Sequence, residues 1–462
     1  MPRPRFTPPG RRAILVKFEE GRRYSLVQTG GGPANTPGSN PIDWDGLWGV
    51  LPEGAMVRQS FPRIVNRLRG EGKLTAGPGP GSETSLDLYV RVGLPPGFAP
   101  ETIVRILDNL PEVAFATIEP EWDMEPSSPA YAGETGINSV PVSGKHRGEG
   151  VMLCVLERSY YQDHALFQKA PNAKGKLGSL YPLPKGVLNL MHGTNTLGVL
   201  CPDNPKLRGI CPDADVLVAS TFSGPWSGTG SDCYRTPVHY AIDYVGGRLQ
   251  GGKPKVPAGS LVLIEAAAKT KGGVQVPVDY AVDVRRCLRT FASVFGITVV
   301  LPAGNGGQDL GTILAPDLVD GTSLRIWLGG GPKIKRNHSL AVMVGAGDPE
   351  DHSRWVDDVS PGVGSNFGTR VDCQGWGRGV LTVGEIPDLT IEYGGTSAAS
   401  AMVAGVITCM QGAAKPVGSL TPEHIRGMFG ERDAQGNLKY GKGDKKGEIG
   451  PLPNLTKLIQ AI

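Results

Sequence analysis

At 462 residues the chain is long enough for two or more domains, each with its own core. Its 47 basic and 44 acidic side chains leave a formal charge of +3 spread along the length, which creates no field of the kind that gathers nucleic acid. No stretch approaches the ~18 apolar residues of a membrane span, and the run Ala13 to Val16 behind the basic N-terminus is too short for a signal-peptide core.

Seven scattered cysteines without a C-x-x-C pair fit a reducing compartment, so a cytoplasmic location is expected. Cys154 and Cys409 fall in apolar runs and read as small core residues. The 67 glycines and 40 prolines predict many tight turns, and basic runs such as "GKGDKKGE" from Gly441 read as solvated loop.

In chain order, "AILVKF", "SLDLYVRV" and "EVAFATIEP" read as strands. "PETIVRILDNL" reads as a helix, because Ile103, Val104, Ile106, Leu107 and Leu110 recur at helical spacing. These predict a small α+β domain over residues 1–122, with glycine- and proline-rich loop from Gly70 to Ser85. Residues 123–143 have the composition of a linker. Over 144–462 the runs "VMLCVLE", "DVLVAS", "GSLVLIEAA", "GITVVLPAG" and "SLAVMVGAG" alternate with helical patterns. They are short, branched and followed by turn residues, which predicts an α/β domain with a doubly wound, mostly parallel sheet. Ligands of such sheets bind beyond the carboxyl ends of the strands, where Glu157 ends one of these runs.

Three further polar residues stand at element ends. Ser397 in "GGTSAASAMVAGVITCM" opens a small-residue helix, His192 in "LMHGTNTLGVL" opens another, and Asn305 in "LPAGNGG" follows a buried strand. Taken singly, each has a structural reading: a helix cap, a buried histidine, a turn former. Together, an acid, a histidine, an amide and a serine are the parts of an acyl-transfer site.

The same stretches resemble the subtilisin-like serine protease family. "HGTNTLG" is similar to its histidine motif, "PAGN" to its oxyanion asparagine motif and "GTSAASAMVAG" to its serine motif; "GICPDADV" and "SNFGTRVDCQGWG" resemble the segments around them. The resemblance spans roughly Ser143 to Ile462. It implies a serine endopeptidase acting on protein or peptide, with Ser397 as nucleophile, His192 as base and Asn305 in the oxyanion hole. It also implies substrate contacts from Glu265, Ala266 and Gly304.

The family's acid is an aspartate, whereas this chain reads "VLERS", so Glu157 is expected to take the role with a side chain about 1.5 Å longer. Asp163 is the rival candidate, beside His164, which resembles a structural histidine of the family. Ala401 replaces the usual proline of the serine motif. Glu265 stands on the substrate edge, either to pair with a basic substrate residue or to cap its strand in solvent. The sedolisin family shares the fold but carries acidic groups where this chain has His192 and Asn305.

Residues 1–122 resemble the family's propeptide domain, which implies an intramolecular inhibitor that assists folding. No cofactor is called for. The resemblance allows calcium, but its ligand loops have no match here, and no nucleic-acid or membrane partner is expected. Besides an active endopeptidase, the residues are compatible with a peptide-binding pseudo-protease, or with a processing or signalling component whose N-terminal region is a permanent partner-binding module.

Overall fold

The structure is a computed structural model. Short interruptions aside, it describes residues 13–19, 42–73, 85–123, 146–168, 174–180, 190–221, 237–313, 339–384 and 390–462, with the strand pair 24–25 and 34–35. The predicted linker beyond Asp123 and most of the predicted Gly70–Ser85 loop lie outside the described residues.

The N-terminal region forms a four-stranded antiparallel sheet from β1 (Ile14–Phe18), β2 (Met56–Gln59), β3 (Tyr89–Gly93) and β4 (Val113–Ile118). Their spatial order is β2-β3-β1-β4, that of a split β-α-β fold. Helices α1 (Trp44–Val50) and α3 (Pro100–Leu107) belong to this region, and α3 packs on β4. One strand is shorter than its sequence pattern: Ser85–Leu88 of "SLDLYVRV" is a 3₁₀ turn.

The larger region is built on a seven-stranded sheet. Its strands are β6 (Met152–Glu157), β7 (Leu177–Ser179), β8 (Asp215–Ser220), β9 (Leu261–Ile264), β12 (Thr298–Pro302), β13 (Val342–Gly347) and β14 (Cys373–Trp376). The order β14-β13-β12-β9-β6-β8-β7 is parallel at every pairing, with β6 and β9 as central neighbours. Both faces are covered, which is why the strands read as unbroken apolar runs: Leu153, Val155, Leu261 and Val300 feed one core, and Cys154, Leu156, Val262 and Val299 the other.

Helix α4 (Met191–Leu200) and the 19-residue α7 (Gly395–Ala413) lie in the first core, and α5 (Pro237–Gly247) and α6 (Val282–Ser293) flank the second. All but a few residues of α7 are buried, as its alanines and glycines allow: Gly405 approaches Ile210 closely. Among the described residues no helix is long and apolar enough to cross a membrane.

The two regions are joined by a shared core rather than a thin contact. Helix α2 (Pro62–Gly70) lies on α5, and Phe61, Ile64, Val65 and Leu68 are fully buried in the same cluster as Val238, Ile242 and Phe291. Burying such side chains stabilises by roughly 1.5–3 kcal/mol each. Phe61 also stacks on the imidazole of His239, with centroids 5.3 Å apart.

No side chain of α2 caps its own N-terminus; Asp243 of α5 does so from the other region. Its Oδ1 accepts the backbone N–H groups of Arg63 and Ile64 at 2.9 and 3.0 Å, and its Oδ2 the Arg63 guanidinium at 3.2 Å. The last N-terminal strand, β5 (Glu121–Asp123), pairs antiparallel with β10 (Ala267–Lys269), which in turn pairs with β11 (Gln275–Pro277).

Candidate active site

The site forms where β6 and β9 end and α4 and α7 begin. Glu157 is the last residue of β6 and 1% exposed. Its main-chain oxygen accepts the Thr221 N–H at 2.7 Å, which fixes the strand end. Its side chain takes two donors: Oε2 accepts the Arg158 N–H at 2.9 Å, and Oε1 is hydrogen-bonded to His192 Nδ1. A carboxylate that only accepts suits both partners. The longer glutamate therefore reaches the ring, whereas Asp163 is exposed in the following turn. His164 is fully buried, and its Nδ1 accepts the Leu166 N–H at 3.2 Å.

His192 is the second residue of α4, and the glycine after it is a steric requirement. A Cβ on Gly193 would lie 2.1 Å from the Ser159 carbonyl oxygen, so any side chain there would push α4 off the end of β6. One turn on, Thr196 donates to the His192 carbonyl at 3.0 Å. Burial disfavours the imidazolium, but the charge and hydrogen bond of Glu157 outweigh it, and the pKa of His192 is raised.

Ser397 is the third residue of α7 and half-buried. Its neighbour Thr396 ties the helix start to the turn after β12: the Thr396 N–H and hydroxyl both donate to Asn305 Oδ1, at 2.9 and 2.8 Å. The Gly304 N–H donates to Thr396 Oγ1 at 3.2 Å. With its carbonyl oxygen so committed, Asn305 keeps its Nδ2 amide as a donor for a ligand. Gly304 has a φ of +91°, and a Cβ there would meet Asn366 Nδ2 at 2.8 Å, so glycine is needed on both counts. Asn366 braces this turn from below, donating to Ala303 O at 2.7 Å and to Gln275 O at 2.9 Å.

Glu265 follows β9 directly. Its N–H donates to Leu156 O at 3.1 Å, so it sits beside Glu157 across the central strand pair. It is 5% exposed, which corrects the solvated strand-cap reading: the α7 helix start covers it, and Ser400 Oγ lies 2.7 Å from its Oε1. Burial foremost, with the Glu157 charge beside it, pushes its pKa up to about 8, against the pull of His192 and of the Ser400 and Ser397 hydroxyls. Ala266 is buried between Glu265 and strand β10.

Sequence reasoning missed Tyr393, the last residue of β16 (Thr390–Tyr393), which pairs with β15 (Val380–Val383). Its phenol oxygen lies 2.9 Å from His192 Nε2 and 2.9 Å from Thr196 Oγ1, and the Ser397 hydroxyl is close enough to favour its anion. The nitrogen expected to face Ser397 is thus held by a phenol. Burial, with Glu265 and Glu157 nearby, raises the Tyr393 pKa well above its ordinary value. The available signal was position: Tyr393 immediately precedes the glycine pair of the serine motif.

Donor atoms of Glu157, His192 and Glu265 all lie within 4.8 Å of one another. Two carboxylates and an imidazole match zinc in ligand type, but Glu157 and His192 already face each other, so an ion there would replace their hydrogen bond.

No family's sequence profile matches the chain, and no curated protein sequence is similar to it. Among solved structures, the A-subunit of the AB5 toxin from E. coli is 17% identical over 70% of this chain and 98% of its own, with a TM-score of 0.49. A cold adapted subtilisin-like serine proteinase is 18% identical, covering 64% of this chain and 89% of its own, with a TM-score of 0.39. The self-cleaved protease domain of PatA is 17% identical, covering 68% and 97%, with a TM-score of 0.44.

Proposed function

We propose that the chain is a serine endopeptidase that cleaves peptide bonds through an acyl-enzyme, with Ser397 as nucleophile, His192 as base and Glu157 as orienting acid. One observation carries the reading: the Glu157 carboxylate lies on His192 Nδ1, and the opposite ring nitrogen is held by a phenol beside the Ser397 hydroxyl at a helix start.

In the attack, Ser397 Oγ bonds to the scissile carbonyl carbon and gives up its proton. Tyr393 takes that proton as it passes its own to His192 Nε2. The phenol is unchanged after the step, which suits a group whose raised pKa disfavours a phenolate. The imidazolium that forms is stabilised by Glu157, and the proton returns by the same route to the leaving amine. The oxyanion falls to Asn305 Nδ2 and the Ser397 N–H, since the Gly395, Thr396 and Ala398 N–H groups of that turn already donate to Gly377 O, Asn305 Oδ1 and Gly394 O.

Strand β10 is the middle of its three-stranded sheet, and the extended segment β5 that lies on it supports an extended polypeptide as substrate, which would take the place of β5. Asp123 lies opposite Ala267 in antiparallel register, so β5 runs toward Ala266 and Glu265. This direction supports the N-terminal region as an intramolecular inhibitor of the site. The described cysteines are all buried thiols, in keeping with a reducing compartment.

The test is covalent labelling by a fluorophosphonate together with hydrolysis of a denatured protein substrate. Wild type should do both, and Ser397→Ala should do neither while keeping its fold; hydrolysis by Ser397→Ala at the wild-type rate overturns the assignment. Intact-mass measurement of the purified protein reports whether the chain cuts itself beyond Asp123.

A further inference from the structure

We propose that Glu265 is a second, proton-bearing acid of this site: as a neutral carboxylic acid it completes a hydrogen-bond chain through Ser400, and losing its proton turns the Ser397 hydroxyl away from the base. This rests on the peptidase reading for its effect on catalysis, but not for the protonation itself.

Hydrogen counting comes first. Ser400 Oγ has one proton and two acceptors in reach, Glu265 Oε1 at 2.7 Å and the Ser397 carbonyl at 3.0 Å. With Glu265 ionised, one of these contacts has no hydrogen. With Glu265 protonated, its O–H donates to Ser400 Oγ and the Ser400 O–H donates to Ser397 O, so both contacts are satisfied and the first turn of α7 is pinned below the nucleophile. The remaining carboxyl oxygen, Oε2, is buried with no well-formed hydrogen bond, which an anion tolerates far less than a neutral acid.

Charge counting agrees. The titratable groups facing Glu265 are Glu157 at the end of β6, His192 on α4 and Tyr393 on β16, with Ser397 and Ser400 of α7; the Arg158 cation acts on His192. In the resting state Glu157 is the one anion, balanced by donors. A second anion on Glu265 would share the same dry volume uncompensated, and the oxyanion of the transition state would be a third charge of the same sign. The site therefore keeps a proton on Glu265, in line with its pKa near 8.

Once ionised, Glu265 becomes the strongest acceptor beside Ser397. The Ser397 O–H then turns to the carboxylate rather than to Tyr393, and the proton route to His192 opens. Deprotonation of Glu265 switches catalysis off on the alkaline side, where a site governed by its histidine alone would stay active.

The experiment compares wild type with Glu265→Gln by fluorophosphonate labelling rate across pH 6 to 10, alongside carbon NMR of glutamate-labelled protein. In wild type the labelling rate falls about tenfold per pH unit above the Glu265 titration, and in Glu265→Gln the fall is absent; the same fall in both overturns the proposal. If neither protein labels at any pH, the peptidase reading fails and the NMR decides alone. A carboxyl titrating at about 8 in wild type and missing from Glu265→Gln upholds the protonated acid, and its absence overturns it. Should Glu265→Gln fail to fold, Ser400→Ala serves instead. Losing the Ser400 hydroxyl, which touches Glu265 Oε1, moves the alkaline fall away from its wild-type pH, and an unmoved fall overturns the proposal.

Discussion

Two neighbouring strands, β6 and β9, end at the same level of the sheet, and each ends in a buried glutamate. Glu157 and Glu265 are 1% and 5% exposed, so burial does not distinguish them. Their donors do. Glu157 receives an imidazole N–H and a backbone N–H, whereas Glu265 receives at most a shared serine proton and faces Glu157 itself. The lesson is that the hydrogens offered to a carboxyl, more than its depth, set whether it acts as an anion or as an acid. One fold end thus holds two carboxyls with opposite tasks.

The comparison breaks most sharply at Glu157. Glu157→Gln keeps the shape but presents an amide to Nδ1, so the ring can adopt the wrong tautomer, and the imidazolium loses its counter-charge. Turnover should fall on the order of 10⁴, as amide replacement of the acid does in a comparable triad. Glu157→Asp should recover only part of this, since the shorter chain falls about 1.5 Å short of the ring. Steady-state hydrolysis of one peptide by the three proteins checks both expectations. Near-wild-type turnover by Glu157→Gln would leave Glu157 as a strand-end charge and nothing more.

A smaller effect is expected at Tyr393, which sees both glutamates. Tyr393→Phe removes the oxygen that links Ser397 to His192 but keeps the ring. If the phenol relays the proton, turnover drops on the order of 10², the low end of what general acid–base groups contribute. Unchanged turnover with unchanged substrate affinity means that serine and histidine meet directly when substrate is bound.

How much of this was legible in the sequence follows from the range of each interaction. The strands of the parallel sheet were readable because both faces are buried, so every residue of "LCVL" and "LVLI" must be apolar. His192, Asn305 and Ser397 were readable because each stands at an element end beside a glycine or a small residue, imposed at Gly193 by close backbone approach, and Glu157 because a charge ends an apolar run. Tyr393 and Ser400 were not readable, since a tyrosine in a strand and a serine in a small-residue helix are ordinary there. Their roles arise only when β16 and β9 are laid against α7 in space. Glu265 was picked out as unusual, but its lid of α7 could not be read from local pattern. Nor could the docking of α2, whose cap is an aspartate far along the chain.

The smallest expected effect is on stability, and it separates the two glutamates without any catalysis. Glu265 has a pKa of about 8 when folded, against 4.5 for an exposed glutamate. Between these values the folded protein holds a proton that the unfolded chain has released. Stability therefore falls as pH rises through this window: the contribution of the neutral acid is fully present below about pH 4.5 and lost by the time pH passes 8. The upper limit of the slope is about 1.4 kcal/mol per pH unit for a single fully coupled group. Glu265→Gln has nothing to titrate at this position. Its melting temperature should lie near the wild-type value at pH 5 and rise above it progressively toward pH 8, with the gap constant beyond. Glu157→Gln keeps Glu265 but removes the charge that helps raise its pKa, so its alkaline loss of stability should be present but smaller than that of wild type. Calorimetric scans of the three proteins across that range test the contrast directly; melting curves of wild type and Glu265→Gln that run parallel would mean that Glu265 ionises like any solvent-facing carboxyl.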